Sequence, residues 1–547
     1  MLLTPQDLKQ KRRKSLRLET KKTQGFFAIN FQTILCIFAF LLSTFAFLFY
    51  FRHFTLAYYD AKSHLQIAKQ VTNGLTPGFA QLGGVWLPLF HLLMLPTVWI
   101  DFFYYSGLSG SIVSMIAYVL ASFVLFKTCQ FVFQENKAAF LAALVFMLNP
   151  NVLYFSCIPM MESLYLLTFL AALYFFIKFI STEKPQHLVL SALCTFFATL
   201  TRYEGWSLIP VMAAAIMLIG WKRKWDYCKL EGMLISYLTL AGFGVALWLL
   251  WNAVIFKNPF YFAFGEYLAH ASQELLSKEG LLPTKGNPLL ALIHYNVASG
   301  AVCGIVVYLL FVLGLCLYVL KHLRKGAIVA PHKNAKKELN CAKTEFSHSP
   351  GAYLFLLPFF FHTLALSLGQ IAILIPGLSG VSIKEMFNVR FALLLAPAVA
   401  FFVGYLAKGR RFAFWGVSFI VLFQVVLMFA RGDIVTLKDG VSGWSSGKPG
   451  EVEKWLSENY DGGLILTDAH ANICRFIDTK IPMNRFIHQG TFGYWQESLE
   501  NPAKHAKWIW MTQDDRVWKA IWKKDEFRKN FRQVFKDEKT LVYQKKE

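Results

Sequence analysis

Long apolar runs recur along this chain, and they constrain its fold more than any other feature. The first extends from Phe26 to Tyr50, and each run is about long enough to cross the hydrocarbon core of a bilayer as a helix. Backbone groups in lipid must be hydrogen-bonded within the protein, so such a chain folds as a polytopic α-helical membrane protein. The runs predict eleven transmembrane helices, near residues 27–50, 109–131, 139–155, 161–180, 188–201, 205–221, 232–255, 296–320, 352–375, 391–407 and 412–430.

Basic residues indicate how these spans are oriented. The segment KQKRRK, from Lys9 to Lys14, precedes the first run, which predicts a cytoplasmic N-terminus comprising residues 1–26. Eleven spans then place the other basic connectors inside, including a polar linker loop at 321–351. The net charge of +22 is explained by these connectors, and without a basic face interleaved with stacking aromatics it does not indicate nucleic-acid binding.

Two regions are predicted to lie on the extracytoplasmic side. Residues 51–108 form the first outer loop, whose patterns favour amphipathic helices on the membrane surface. By the parity of the spans the tail 431–547 also lies outside, after a transmembrane domain at 27–430. The tail contains the helix pattern VEKWLSENY, the strand patterns GLILT and WIWMT, and a closing hairpin, which predict a small α/β domain.

Ionisable residues gather on this predicted outer face, where they mark a candidate site because charges near a bilayer are costly unless they face a wet cavity. Asp60 is the principal candidate, since a positioned carboxylate can take a proton from an attacking hydroxyl or amine. The other candidates on this face are Lys62, His64, Glu162, Arg202, Glu204, Lys384 and Arg390. Glu266 and His270, at i and i+4, have the spacing of ligands for a divalent metal, and no cofactor is otherwise indicated.

Structural roles are the alternatives for these residues. Asp60 would serve equally as the N-cap of the helix DAKSHLQIAKQ. Arg202 and Glu204 would pair with each other, and an arginine beside a span can also reach lipid headgroups. Trp86 would act as an interfacial anchor.

The order of several motifs resembles the GT-C membrane glycosyltransferases, particularly the branch with protein O-mannosyltransferases and the lipid A aminoarabinose transferase. The first outer loop, YYDAKSHLQIAKQVTNGLTPGFAQLGGVWLPLF, is similar at Asp60, Gly74, Pro88 and Leu89. Further similar segments are NPNVLY with PMMESLYLL, then TRYEGW, and then NVRFALLLAPAVA, which carries Arg390, Phe391 and Pro397. Many members have Glu directly after the Asp, where this chain has Ala61.

The resemblance implies transfer of a sugar from a polyprenyl-phosphate-linked donor to a lipid, glycan or protein acceptor on the extracytoplasmic face. Asp60 would be the general base, and Arg202, Arg390 or Lys384 would neutralise the departing phosphate. Glu162 and Glu204 would bind sugar hydroxyls or orient those cations, and Trp86 would stack on a pyranose face. A bacterial inner membrane is the expected location. Two other functions stay open: a transporter or flippase for a lipid-linked sugar, which would favour polar sites near the bilayer midplane, and a noncatalytic membrane assembly protein.

Overall fold

The computed structural model describes residues 31–264, 269–327, 350–380 and 383–546. It consists of a helical bundle followed by a small α/β domain. The basic segment 1–26 and most of the linker loop predicted at 321–351 lie outside the described residues. The division into domains at the predicted membrane boundaries therefore stays a prediction.

The bundle is formed by nineteen described α-helices. They are α1 Phe31–Ala46, α2 Tyr59–Asn73, α3 Leu89–Val98, α4 Asp101–Tyr105, α5 Leu108–Phe133, α6 Asn136–Met147, α7 Pro150–Ser156, α8 Glu162–Thr182, α9 Pro185–Thr199, α10 Leu208–Lys222, α11 Tyr227–Phe256, α12 Tyr261–Phe264, α13 Ala269–Lys278, α14 Pro288–Cys303, α15 Ile305–Ala327, α16 Leu357–Ser367, α17 Ala396–Leu406, α18 Arg411–Arg431 and α19 Val435–Ser442. A π-helical turn at Phe47–Phe51 continues α1, and 3₁₀ turns lie at Phe79–Leu82, Tyr203–Ser207, Pro350–Leu356 and Val389–Leu395.

Eight described helical segments are long and apolar enough to cross a membrane, or nine if the bent pair α6 and α7 is one span. Their outward surfaces are apolar, as lipid-facing surfaces are: Trp221 is 75% exposed and Phe412 93%. Two of the eleven predicted spans, 188–201 and 352–375, fall on α9 and α16, which have 15 and 11 residues. The protein is thus an integral multi-pass membrane protein, while the count of eleven and the N-terminal orientation stay predictions.

Local sequence explains where several helices begin. Asn149, Asp226 and Asn287 each precede a helix and accept hydrogen bonds from its first backbone N–H groups through their side chains. Proline occupies the first turn of α7, α9 and α14. A backbone N–H in this turn has no acceptor within the helix, so the N–H that proline lacks is not needed there. These signals set short breaks between apolar helices, and the polar residues of the candidate site lie at such breaks.

The C-terminal domain contains one five-stranded mixed sheet. Its elements are α20 Glu451–Asn459, β1 Leu464–Thr467, α21 Ala469–Asn472, α22 Phe476–Thr479, β2 Phe486–Ile487, α23 Tyr494–Glu500, β3 Ala506–Thr512, α24 Arg516–Ile521, α25 Asp525–Asn530, β4 Phe531–Lys536 and β5 Thr540–Lys545, with further 3₁₀ turns at Ile473–Arg475, Met483–Arg485 and Pro502–Lys504. The strand order is β2-β1-β3-β5-β4, parallel between the first three strands and antiparallel in the other two pairs. The helix and strands expected from VEKWLSENY, GLILT, WIWMT and the closing hairpin are all present.

This domain packs on α2, the helix that contains Asp60. Lys62 Nζ lies 2.6 Å from Asp478 Oδ2 and also donates to the Gly447 carbonyl oxygen. Further along the loop, Gln81 Nε2 donates to the Gly490 carbonyl oxygen at 2.7 Å. The α2 helix is therefore held between the helical bundle and the α/β domain.

Candidate active site

Asp60 and Arg390 form an ion pair although they are distant in sequence. Arg390 Nη1 lies 2.6 Å from Asp60 Oδ2, and the two side chains are 15% and 23% exposed. Asp60 lies in the first turn of α2, whose N-cap is Tyr58 and has no side-chain capping bond. The alternative in which Asp60 caps this helix is therefore not observed. A carboxylate in the first turn is still favoured by the helix dipole.

Arg202 forms the centre of a second, more deeply buried group of charges. Its Nη1 donates to Glu162 Oε1 and its Nη2 to Glu204 Oε1, both at 2.7 Å. Arg202 Nε also approaches both oxygens of Glu204, at 3.3 and 3.2 Å. The sequence alternative of an Arg202–Glu204 pair is thus observed, with Glu162 added from the start of α8. Two carboxylates share one guanidinium, so Arg202 has little positive charge left for a ligand.

The two charge groups meet at the Phe391 ring. The guanidinium carbons of Arg202 and Arg390 lie 5.6 and 5.5 Å from the centroid of this ring, within the range of cation–π attraction. Phe391 follows Arg390 in the 3₁₀ turn, which begins after Asn388 in a left-handed conformation with φ of 56°. Asparagine adopts that conformation more readily than most residues, so the local sequence favours this turn.

These residues line one cavity of about 560 Å³. Its polar wall contains Asp60, Glu162, Arg202, Glu204 and Arg390. Its apolar wall is formed by residues from several helices and loops: Val85, Trp86, Leu87, Met160, Met161, Tyr203, Phe262, Ala263, Phe264, Phe361, Ala365, Ile371 and Phe391. This combination of a few convergent charges with apolar walls is typical of a ligand site for an amphiphilic molecule.

Two buried polar atoms at this cavity have no hydrogen-bond partner among the described residues. They are Glu162 Oε2 and Arg390 Nε. Buried polar groups are nearly always hydrogen-bonded. An acceptor and a donor without hydrogen-bond partners at the same cavity therefore favour a site for a polar ligand.

His64 lies in the cavity wall but is almost completely buried, at 1% exposure. Burial, followed by the positive charges of Arg390 and Arg202, lowers the pKa of His64 to about 3. Its Nδ1 lies 3.0 Å from His91 Nε2, and its ring contacts Trp86 edge-on at a centroid distance of 5.1 Å. His64 is therefore a neutral group that packs beneath Trp86, and Trp86 presents its ring to the cavity.

The structure does not bring every candidate residue to the cavity. Lys62 is 2% exposed and is bound to Asp478, on the side of α2 that faces the α/β domain. Lys384 is exposed and does not line the cavity. Glu266 and the side chain of His270 lie outside the described residues, so the proposed metal pair is not tested. The described part of the chain contains no cluster of three or more His, Cys, Asp or Glu residues suited to a metal ion.

Sequence reasoning missed two residues that the structure connects to these charges. His362 is fully buried, and its Nε2 lies 3.3 Å from Glu204 Oε1 while its Nδ1 lies 2.7 Å from the Pro358 carbonyl oxygen. Asp439, also fully buried, lies beyond the last long apolar helix. A lone histidine in an apolar run and a lone aspartate near a tail carry no spacing signal, although an ionisable residue in an apolar run is itself a reason for attention.

Comparison with known proteins agrees with the resemblance seen in the motifs. Residues 97–251 match the sequence profile of the dolichyl-phosphate-mannose-protein mannosyltransferase family. This segment, less than half of the chain, includes Glu162, Arg202 and Glu204. No curated protein sequence matches the chain significantly.

Solved structures of two membrane enzymes are similar over most of the chain. The archaeal oligosaccharyltransferase AglB from Archaeoglobus fulgidus, in complex with an inhibitory peptide and a dolichol-phosphate, is 12% identical, with a TM-score of 0.45 over 89% of this chain and 70% of that one. ArnT from Cupriavidus metallidurans, bound to undecaprenyl phosphate, is 10% identical, with a TM-score of 0.40 over 94% of this chain and 98% of that one. The profile match over residues 97–251 agrees with the resemblance of the motifs to the GT-C membrane glycosyltransferases, in their protein O-mannosyltransferase branch.

Proposed function

We propose that this protein transfers a sugar from a polyprenyl-phosphate-linked donor to a hydroxyl or amine of an acceptor on the extracytoplasmic face of the membrane. The observation that carries the proposal is the Asp60–Arg390 pair in the wall of the cavity. A base and a phosphate-binding cation are the two groups that this displacement needs, and they lie side by side. The profile match to a mannosyltransferase family supports the same chemistry.

Asp60 acts as the general base in this reaction. The acceptor oxygen or nitrogen attacks the anomeric carbon of the donor, forming a new glycosidic bond, and its proton passes to the Asp60 carboxylate. The ion pair with Arg390 is made through Oδ2, so Oδ1 is left for the acceptor. Base catalysis of this kind typically contributes about 10² to 10⁴-fold to the rate.

Arg390 stabilises the leaving group. As the bond between the anomeric carbon and the phosphate oxygen breaks, the electron pair stays on that oxygen, and a lipid phosphodiester becomes a phosphomonoester with more negative charge. Arginine binds phosphate through two parallel N–H donors, and Arg390 Nε is buried without a partner. Arg202 is already neutralised by Glu162 and Glu204, so Arg390 is the principal cation for the phosphate.

Glu162 and Trp86 bind the sugar. Glu162 Oε2 is an acceptor without a partner at the cavity and suits a sugar hydroxyl, while the Trp86 ring offers an apolar surface for a pyranose face. The acceptor is a lipid, glycan or protein. The same proposal places the protein in a bacterial inner membrane, with residues 431–547 on the extracytoplasmic side.

Transport of a lipid-linked sugar is the rival function. A transporter would keep its cargo chemically unchanged and would need no base, whereas the Asp60 carboxylate lies beside a cation in the cavity wall. The position of the charges at breaks between helices, including the start of α8, supports a site at one end of the bundle.

The test compares wild-type protein with Asp60→Asn at equal abundance in cells. Mass spectrometry of polyprenyl-phosphate sugars, glycolipids and glycoproteins should show one acceptor losing its sugar and its lipid-linked donor accumulating. Asp101→Asn is the matched control, since Asp101 is an exposed carboxylate of the same loop region, paired with Lys69. Unchanged pools in Asp60→Asn would overturn the proposal and favour transport or assembly.

A further inference from the structure

Asp439 is a fully buried carboxylate that collects four donors. Its Oδ2 accepts from the Asn388 backbone N–H at 3.1 Å and from the Ser445 hydroxyl at 3.0 Å. The Tyr58 hydroxyl is shared between the Thr436 carbonyl oxygen, at 2.8 Å, and Asp439 Oδ2, at 3.3 Å. Asp439 Oδ1 accepts from the Ser445 backbone N–H at 3.3 Å. No cation pairs with Asp439 among the described residues, so these four hydrogen bonds are the polar contacts that hold its side chain in place.

Two of these donors each lie two residues before a member of the Asp60–Arg390 pair. Tyr58 lies two residues before Asp60, and Asn388 lies two residues before Arg390. The Asp439 carboxylate thus joins the segments that begin α2 and the 3₁₀ turn of Arg390. The Tyr58 ring also lies close to Arg390, whose guanidinium carbon is 5.9 Å from the ring centroid.

The segment that follows Asp439 also forms backbone hydrogen bonds with the start of α2. The Tyr59 backbone N–H donates to the Ser445 carbonyl oxygen at 2.9 Å, and the Gly447 N–H donates to the Ala57 carbonyl oxygen at 2.7 Å. Tyr58 and Ser446 form an isolated antiparallel bridge between these hydrogen bonds. On the other side, the rings of Phe387 and Trp444 are 5.7 Å apart. Residues 436–447 therefore contact both the segment that begins α2 and the segment that precedes Arg390.

We propose that Asp439 is a positioning residue that sets the distance between Asp60 and Arg390. The inference rests on the proposed function, since it assigns a purpose to the pair in transfer. Its carboxylate contacts neither the cavity nor a substrate, and it acts through the Tyr58 hydroxyl and the Asn388 backbone. Because the reacting groups must be aligned closely, a displacement of about 1 Å can lower the rate on the order of 10²-fold.

The test measures transfer by purified full-length protein in detergent or nanodiscs, with a radiolabelled polyprenyl-phosphate sugar. Asp439→Ala removes all four acceptor contacts, and Tyr58→Phe removes one hydroxyl and keeps the ring. We expect kcat to fall by about 10 to 10²-fold in the first and less in the second, with the donor KM nearly unchanged. Asp439→Asn, which keeps one acceptor oxygen, should restore part of kcat.

Two controls separate positioning from loss of stability. Asp515→Asn alters a buried carboxylate that caps α24 in the other domain, and Tyr154→Phe removes a neighbouring hydroxyl that donates to the Phe54 carbonyl oxygen. Both should leave kcat near wild type even if the protein melts earlier. If kcat falls in these controls as far as in Asp439→Ala, the effect is general destabilisation and the positioning role is overturned.

A double-mutant cycle with Arg390→Lys gives the decisive comparison. If Asp439 acts through the pair, the combined loss of kcat in Asp439→Ala/Arg390→Lys should be at least about fivefold smaller than the product of the single losses. Multiplicative losses would overturn the inference. Asp60→Asn is measured in parallel: an active Asp60→Asn overturns the proposed function itself, whereas an inactive Asp60→Asn with a wild-type kcat in Asp439→Ala overturns only the role of Asp439.

Discussion

Arg390 Nη1 lies 2.6 Å from Asp60 Oδ2, so the two residues proposed as phosphate-binding cation and general base are in direct contact. The ion pair fixes the position of the carboxylate at the wall of the cavity. It also means that a phosphate entering the cavity competes with Asp60 for the Arg390 guanidinium. Under the proposed function, donor binding and release of the base would be linked through the Arg390 side chain.

Replacing Arg390 by Lys is therefore expected to impair transfer although the charge is kept. Lysine is a point charge and lacks the planar fork that contacts carboxylate and phosphate at the same time. We expect kcat to fall about 10²-fold, as when one donor to developing negative charge is lost. Steady-state transfer assays with a lipid-linked donor would measure it. Arg223→Lys is the control, because Arg223 pairs with Glu183 away from the cavity; equal losses in both variants would refute the assignment.

Removal of Arg202 should affect stability more than substrate binding. Its guanidinium neutralises Glu162 and Glu204, which are 1% and 7% exposed, so Arg202→Ala leaves two buried carboxylates without a counter-charge. Breaking such a buried group by removing one partner typically costs about 3–5 kcal/mol. Thermal unfolding in detergent should show a large decrease in Tm, and adding Glu204→Gln should recover part of it. A double variant no more stable than Arg202→Ala would show that the loss is not electrostatic.

Lys62 and Asp478 should couple the α/β domain to the helix that contains Asp60. The pair is buried, with side chains 3% and 12% exposed, and burial raises the pKa of Asp478 while Lys62 opposes that shift. Lys62→Met alone leaves a buried carboxylate, whereas Lys62→Met with Asp478→Asn removes both charges. We expect a coupling of about 0.5–3 kcal/mol between the two substitutions, measured by unfolding. Additive effects would mean that the two residues contribute independently.

The fold class follows from the sequence because the hydrophobic signal is strong and local. Apolar runs and capping residues such as Asn149 and Asp226 set where helices form and end. The number of crossings is harder to read, since α9 and α16 are apolar but shorter than a full span, and their length cannot be judged from hydropathy alone. Strands β1, β3, β4 and β5 of the α/β domain were predictable from short apolar runs flanked by turn residues, whereas the two-residue strand β2 was not.

The candidate site was predictable as a set of residues but not as a set of contacts. Topology alone placed Asp60, Glu162, Arg202 and Arg390 at one end of the bundle, because each lies at a break between apolar runs. Which carboxylate pairs with which arginine depends on packing between helices far apart in sequence. The same limit applies to Lys62, a candidate site residue in the sequence that lies two residues from Asp60. A helix turns by about 100° per residue, so the Lys62 side chain faces Asp478 of the α/β domain.

The buried pair His64 and His91 should make the stability of the protein depend on pH. Burial lowers the pKa of both rings. The pKa of His64 falls to about 3, and the positive charges of Arg390 and Arg202 add to this shift. The His64 ring adds to the lowering of the pKa of His91. The unfolded chain protonates histidine near its ordinary pKa of about 6.5, whereas the folded chain keeps these rings neutral. Between pH 6.5 and 3 the unfolded state therefore binds more protons. The free energy of unfolding should therefore fall as the pH is lowered from 6.5 to 3. Above pH 6.5 these two histidines should not make it depend on pH.

His64→Gln removes one of these titrating groups while it keeps a polar side chain of similar reach. Each buried histidine contributes a slope of up to about 1.4 kcal/mol per pH unit where only the unfolded chain is protonated, so the variant should lose stability less steeply between pH 6 and 4. Unfolding of wild type, His64→Gln and the surface control His53→Gln at each pH would measure it. Parallel curves for wild type and His64→Gln would mean that His64 titrates alike in the folded and unfolded chain. A shallower curve would instead support a neutral imidazole beside two arginines, which leaves the positive charge at the cavity to Arg390 and fits a role for His64 in holding Trp86.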